Sequence, residues 1–386
     1  MKCIFIGNPM LESNTKKVQN KIHFSAADNK AQNILIKGLY ERYGSDLTVI
    51  SINRNSKDRK VSKLDCGTKA ILVKCIEKNR ILYYLSILRN IYKEYKKLLK
   101  QYNNETIVTI TWGPSIFYCL GPMLNKRKTK FIPFIVTSVE YPEYKGLFKI
   151  IANYNLKIMR KVDASITYVD ASAQDYTNKP YHHTYYTLSD TQIDIATKFK
   201  KKINKGKINI GYSGQLTEVN GIDILLKVIS VLPDNYVLNI CGKGPLEKLV
   251  LEYQKKYKNK INYHGYLNIE ETTKLQLNSD ILIVIRPIIN DVTEYYSKYA
   301  ASAKLTEYLL SGNPIITNDI PCISEEIKKY LNLIPNCDVE IIVSEIKKVS
   351  KNLKKNVEGQ KFAIETFNES YQNKKICEFI DDIIKE

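Results

Sequence analysis

Short apolar runs and amphipathic helical stretches alternate along almost the whole chain, and this alternation constrains the fold more than any other feature. In the first half the strand candidates are 2–7, 46–52, 106–112, 130–138 and 163–169. The pattern breaks over 188–207. There Ser189, Asp190 and Thr191 precede the run Lys198-Phe199-Lys200-Lys201-Lys202, which reads as a polar linker. Strand candidates then resume at 207–214, 236–242, 261–266, 280–285, 313–317 and 331–334. Two consecutive series of this kind predict an α/β protein with two doubly wound, Rossmann-like domains. The length of 386 residues agrees, because single hydrophobic cores stop growing near about 250–300 residues. The expected division is a first domain over 1–190, a linker over 191–206 and a second domain over 207–356. Helices over 357–386 are expected to return toward the first domain.

Ile87, Leu88, Ile91, Tyr92, Tyr95, Leu98, Leu99 and Tyr102 recur at helical spacing and predict an amphipathic helix. Its other face carries Arg89, Lys93, Lys96, Lys97 and Lys100. Such a face is ordinarily solvated; the alternative is contact with an anionic membrane surface. The formal net charge is +19, spread along a chain rich in Lys, Asn, Ile and Tyr throughout, as AT-rich coding would produce. Basic residues are not interleaved with aromatic ones in the manner of a nucleic-acid surface, so no nucleic-acid partner is expected. The eight cysteines form no CxxC pair, which argues against zinc ribbons and thioredoxin chemistry and suits a reducing compartment. The apolar opening of the chain is cut short at Asn8-Pro9, and no run approaches the ~18–20 apolar residues of a membrane span. The expected location is the cytoplasm, with peripheral attachment to the inner membrane face as an option.

Ligands of open α/β sheets bind beyond the carboxyl ends of the strands, which turns the strand candidates into a site map. Three exits in the second half stand out. In the first, Ile210-Gly211-Tyr212-Ser213-Gly214-Gln215 leads from a strand into a polar loop and a helix. Gly214 serves either the turn itself or the close approach of backbone amides to a diphosphate. In the second, Gly242-Lys243-Gly244-Pro245 places a lysine between two glycines, where it meets phosphate or base, or stays a surface lysine. The third is a helix carrying Lys304 and Glu307, three positions apart and so on one face, ahead of Gly312-Asn313-Pro314. Glu307 suits a pair of ribose hydroxyls and Lys304 a phosphate; the competing reading is a salt bridge within a solvated helix.

In this order the segments resemble the retaining glycosyltransferases of family 4, which have the GT-B fold of two Rossmann-like domains facing across a cleft. That family shows "Gly-Arg-Leu…Lys-Gly", then "Gly-x-Gly-Pro", "His-Gly", an aspartate-led strand and "Ser-Lys-x-x-Glu-Tyr-x-x-x-Gly-x-Pro-Ile". The counterparts here are Gly214-Gln215-Leu216…Asn220-Gly221, Gly242-Lys243-Gly244-Pro245, His264-Gly265, Ser279-Asp280-Ile281, and the stretch from Ser302 through Lys304, Glu307 and Tyr308 to Gly312-Asn313-Pro314-Ile315. The resemblance covers about 207–345 and is loose over the first half. It implies a nucleotide-sugar donor, a saccharide or lipid-linked acceptor in cell-surface polysaccharide synthesis, and retention of anomeric configuration. No cofactor is expected beside the donor substrate. No Asp-x-Asp triplet occurs in the sequence, so metal independence is expected, with basic side chains and helix N-termini stabilising the leaving phosphate.

The family's diphosphate clamp, an arginine and a lysine, maps onto Gln215 and Asn220, so both charges are missing. Arg286, at the next strand exit, is the candidate replacement. The family's second glutamate, eight residues before Glu307, maps onto Tyr299. In the first half Glu140 stands at a strand exit and is the candidate for orienting the donor sugar or taking the acceptor's proton. His182 and His183 read as structural. The candidate catalytic residues are therefore Glu140 and Glu307, and the candidate donor contacts are Gly214, Gln215, Gly242, Lys243, Arg286, Lys304 and Glu307. Two alternatives share the fold: a non-catalytic nucleotide-binding scaffold and a sugar-nucleotide epimerase.

Overall fold

The protein is described by a computed structural model covering residues 1–9, 26–53, 60–76, 79–136, 139–140, 143–201 and 206–386. The chain divides into two compact units, one of Met1–Tyr185 with Glu369–Glu386, the other of Tyr186–Asn368.

The first unit is built on eight strands: β1 (Lys2–Gly7), β2 (Leu47–Asn53), β3 (Lys60–Lys63), β4 (Lys69–Lys74), β5 (Ile107–Trp112), β6 (Lys130–Ile135), β7 (Ser165–Thr167) and β8 (Tyr181–His183). Their order across the sheet is β3-β4-β2-β1-β5-β6-β7-β8. All neighbours are parallel except β3, which pairs antiparallel with β4 at one edge. Every residue of β5 is buried, as expected of a parallel strand covered on both faces. The edge strand β3, Lys-Val-Ser-Lys, is mostly exposed and carries lysines that discourage further pairing. Sequence patterning missed β3, β4 and β8. The first two join through a tight turn, and β8 is three residues long, too short to show a period. Residues 137–138, part of the strand expected over 130–138, lie outside the described residues.

The second unit holds β9 (Ile208–Ser213), β10 (Tyr236–Cys241), β11 (Ile261–Tyr263), β12 (Ile281–Val284), β13 (Ile315–Asn318) and β14 (Asn332–Ile334). All are parallel, in the order β11-β10-β9-β12-β13-β14. This is the doubly wound dinucleotide-fold order, whose winding reverses between β9 and β12; ligands of such sheets bind at that reversal. Ile210, Leu226, Ile229, Leu238 and Ile283 form the centre of its core.

Two expectations about the connections are corrected. The supposed linker contains a helix, Asp190–Lys198, whose N-cap Ser189 and residue Gln192 form a reciprocal capping box. Lys201, in the charge run beyond it, is an anchor: its ammonium lies 2.5 Å from the Asp280 carboxylate and 2.6 Å from the Ser279 carbonyl. Residues 202–205 of that stretch lie outside the described residues. The two C-terminal helices also part company. Val357–Thr366 belongs to the second unit, and only Glu369–Lys385 joins the first. There Asn373 donates to the Ile34 carbonyl at 3.0 Å, and Arg42 pairs with Asp381 at 2.5 Å.

Candidate functional site

The site is built where the sheet of the second unit reverses its winding. β9 ends at Ser213, whose amide donates to the Tyr308 hydroxyl at 2.8 Å. Tyr308 belongs to the helix Ala303–Leu310 and is fully buried. Gln276 ties the same place to a third element: its side-chain amide donates to the Ser213 hydroxyl at 3.0 Å. The end of β9 is thereby fixed relative to the helix Ala303–Leu310 and to the helix Ile269–Asn278 that bears Gln276.

The loops after β9 and β10 meet backbone to backbone. The Gly214 amide donates to the Cys241 carbonyl at 3.0 Å, and the Leu216 amide to the Lys243 carbonyl at 3.0 Å. A Cβ on Gly242 would lie 1.8 Å from the Gly214 carbonyl oxygen, and φ there is +133°. One on Gly214, at φ +148°, would lie 2.5 Å from Cε of Lys304. These glycines are therefore required by packing between the loops and along the Lys304 stem.

That stem carries the charge at the reversal point. The Lys304 ammonium donates to the Asn220 side-chain oxygen at 2.8 Å and lies 5.4 Å from the centre of the Tyr212 ring. Burial, reinforced by the Arg286 charge and opposed by Glu307, brings its pKa down to about 7. Asn220 occupies the position where the resemblance places a lysine, so a cation stands beside that position after all, contributed by the helix.

Glu307 lies one turn further along the same helix. Its carboxylate accepts from the side-chain amides of Gln192 and Gln276, each at 3.4 Å. Arg286 faces the start of this helix. Its guanidinium donates to the Ala300 carbonyl and, at 3.3 Å, to that of Ala301, while Nε is buried without a partner. Arg286 thus braces the approach to the helix. Ser302, the N-cap residue, makes no side-chain cap, and its hydroxyl is also buried without a partner. Uncapped first-turn amides, an unsatisfied hydroxyl and two cations make the helix start a place suited to an anion.

The structure therefore gathers Gly214, Gly242, Arg286, Lys304 and Glu307. It leaves the side chains of Gln215 and Lys243 exposed; their carbonyls hold the loops together by accepting from Tyr212 and Leu216. Glu140 lies in the first unit, where the Tyr176 hydroxyl donates to its carboxylate at 3.1 Å. Tyr299 is buried, its ring centre 4.6 Å from that of Tyr295, and so fills space. Asp280 sits at the start of β12 and accepts from the Asn209 amide at 2.7 Å, a brace between strands at the sheet's other end. His183 bonds Asp170 at 2.9 Å, and His182 stacks on Phe379. Sequence reading missed Gln192 and Gln276, and named Ser302 and Tyr308 only as members of the motif, with no role. The Ser-x-x-Gln spacing of the capping box was the available signal for the helix bearing Gln192.

Residues 194–365 match the family described as "Glycosyl transferases group 1". The second unit thus carries a glycosyltransferase group 1 domain. No protein of curated function matches the chain by sequence. Among solved structures, the sucrose-phosphate synthase of Thermosynechococcus elongatus matches with a TM-score of 0.71 at 12% identity, over 100% of both chains. The E. coli trehalose-6-phosphate structure bound with UDP-2-fluoro glucose gives 0.71 at 10% identity, over 100% of this chain and 99% of that one. Anabaena Alr3699/HepE in complex with UDP gives 0.67 at 10% identity, over 99% and 100%. The chain therefore has the α/β fold of two Rossmann-like domains seen in GT-B glycosyltransferase structures.

Proposed function

We propose that the protein transfers a sugar from a nucleotide-sugar donor to a saccharide or lipid-linked acceptor in the synthesis of a cell-surface polysaccharide, in the cytoplasm. The observation that carries this reading is the placement of Lys304 and Glu307 at the reversal point of a group 1 glycosyltransferase domain. The Lys304 ammonium and the uncapped start of its helix suit the donor diphosphate. Glu307 suits the hydroxyls of ribose or sugar, its orientation fixed by Gln192 and Gln276.

Chemically, departure of the nucleoside diphosphate leaves two negative charges on its terminal phosphate. A cation and oriented amides already in place lower the barrier to that departure. Retention of configuration is supported by the resemblance of the 207–345 segment to retaining enzymes. Attack from the leaving-group side within a tight ion pair accounts for retention without a covalent intermediate. Metal independence rests on the lack of an Asp-x-Asp triplet in the sequence and on the cations that serve the phosphates instead. Glu140 is the candidate for accepting the acceptor's proton. Lys304 beside Asn220 counts against a scaffold that has lost its clamp.

The test is thermal shift with UDP, GDP and ADP, followed by mass spectrometry of products from a panel of nucleotide sugars with a lipid-pyrophosphate acceptor. A melting-temperature rise with one nucleotide and a product one sugar heavier are expected. No shift with any nucleotide would overturn the reading, and a shift without transfer would favour a binding scaffold.

A further inference from the structure

The helix Arg80–Gln101 of the first unit turns one stripe inward and one outward. Ile87, Ile91, Tyr95 and Leu98 are buried, and the Tyr95 hydroxyl bonds Thr109 at 3.0 Å. The outward stripe runs in steps of about four residues and changes character halfway. Its first turns expose Ile81 (58%), Leu82 (40%) and Leu85 (56%). The next four turns expose Arg89, Lys93, Lys96, Lys97 and Lys100. The helix's acid, Glu94, is buried and pairs with Lys97 at 2.9 Å, which leaves four uncompensated cations on the stripe. Ile76, just before the helix, is also exposed. The helix Ile116–Leu124 packs alongside, and Leu147–Met159 alongside that one. On the latter Ile150 is exposed, with Lys149 next to it.

Single exposed apolar residues are ordinary, but Ile81, Leu82 and Leu85 together at one end of a helix are not an ordinary solvated face. We propose that this face of the first unit docks on an anionic lipid bilayer, with Ile81, Leu82 and Leu85 entering the acyl boundary and Arg89, Lys93 and Lys100 resting among the headgroups. The choice of occupant follows from charge. An apolar tip continued by a wholly basic stripe is complementary to a surface that is apolar beneath and negative above. The net charge of +19 adds long-range attraction to the same surface. None of the described helices is long and apolar enough to cross a membrane. The inference does not depend on the proposed transferase activity, since it is read from the first unit alone.

The experiment is flotation of the full chain with vesicles of phosphatidylcholine alone, and with vesicles of equal parts phosphatidylglycerol and phosphatidylcholine. Binding is expected to the second kind only, and to weaken with added salt. Replacing Arg89, Lys93 and Lys100 by Gln should weaken partitioning by roughly a hundredfold, at about fivefold per charge. The variant Ile81→Ser, Leu82→Ser, Leu85→Ser should lose most of the remaining binding while melting like the wild type, because these side chains touch solvent. Equal binding to both vesicles, no binding to either, or unchanged binding by the serine variant would each overturn the proposal. Sedimentation without lipid covers the remaining occupant: a wild-type dimer that the serine variant breaks would assign the face to a second copy.

Discussion

Lys304 makes donor binding sensitive to pH, with a slope that can be worked out in advance. Its pKa is brought down to about 7 in the free protein, chiefly by burial. A bound diphosphate supplies negative charge next to the ammonium and raises that value. Below pH 7 the side chain is already charged, so affinity is flat. Above pH 7 binding must take up a proton, and the dissociation constant rises tenfold per pH unit until the pKa of the bound state is reached. Between pH 7 and about pH 9 the free side chain goes from half charged to about one part in a hundred, so affinity falls about 50-fold. Tyr212 and Tyr308, which share this corner, are pushed by burial above the ordinary tyrosine range and release no proton in that window. The assay is isothermal titration with a nucleotide sugar, whose phosphates are both diesters and do not titrate there. Two variants fix the assignment. Lys304→Met should abolish the slope and weaken binding about 10- to 100-fold at pH 6. Asn220→Asp places a carboxylate where an amide oxygen now lies 2.8 Å from the ammonium, and should move the break upward by about 1–3 units. A flat wild-type profile between about pH 6 and about pH 9, or the same slope in Lys304→Met, would refute the reasoning.

Three further outcomes are expected. Glu307→Gln removes the charge but keeps the shape, and should lower nucleotide-sugar affinity about 10- to 100-fold by titration, with a melting temperature lowered by a few degrees because one oxygen can serve only one of Gln192 and Gln276. Gly242→Ala drives a methyl group into the Gly214 carbonyl at a φ of +133° and should destabilise the second unit by roughly 2–4 kcal/mol in urea unfolding. His182, held down to about 4 by burial against an ordinary 6.5, stays neutral in the folded state while the unfolded chain takes up a proton. The stability it confers is complete above pH 6.5 and is lost as pH falls through 4, a span of roughly 3 kcal/mol. His182→Phe should therefore be less sensitive to acid than the wild type in urea unfolding at pH 7 and about pH 4.5, and equal sensitivity would discard this account.

The second unit was legible in the sequence because its two longest strands, Ile208–Ser213 and Tyr236–Cys241, are six residues long, largely apolar and each followed at once by a glycine. The first unit was less so. Its β3 and β8 are short and partly exposed, and carry no period that separates them from loop. At the site, Lys304 and Glu307 could be named from spacing, but what each touches could not. Asn220 lies 84 residues from Lys304, and Gln192 lies 115 from Glu307, pairings that only the winding of the sheet creates. For Gly214 the sequence left the turn and the approach to a diphosphate as alternatives, and it could not show that the missing side chains of Gly214 and Gly242 make room for a neighbouring loop and a lysine stem. Arg286 was named as the candidate replacement for the diphosphate clamp, and the sequence could not show the carbonyls of Ala300 and Ala301 beside it.

The meeting of the β9 and β10 loops through main-chain atoms has an evolutionary corollary. Hydrogen bonds between backbone groups do not depend on which side chains the loops carry. The side chains of Gln215 and Lys243 ride outward on that joint, exposed, while their carbonyls alone take part in its cohesion. Their side chains can drift while the glycines stay fixed, so these two positions can vary without rebuilding the frame around Lys304. A small library randomised at 215 and 243 alone is expected to melt like the wild type across its members.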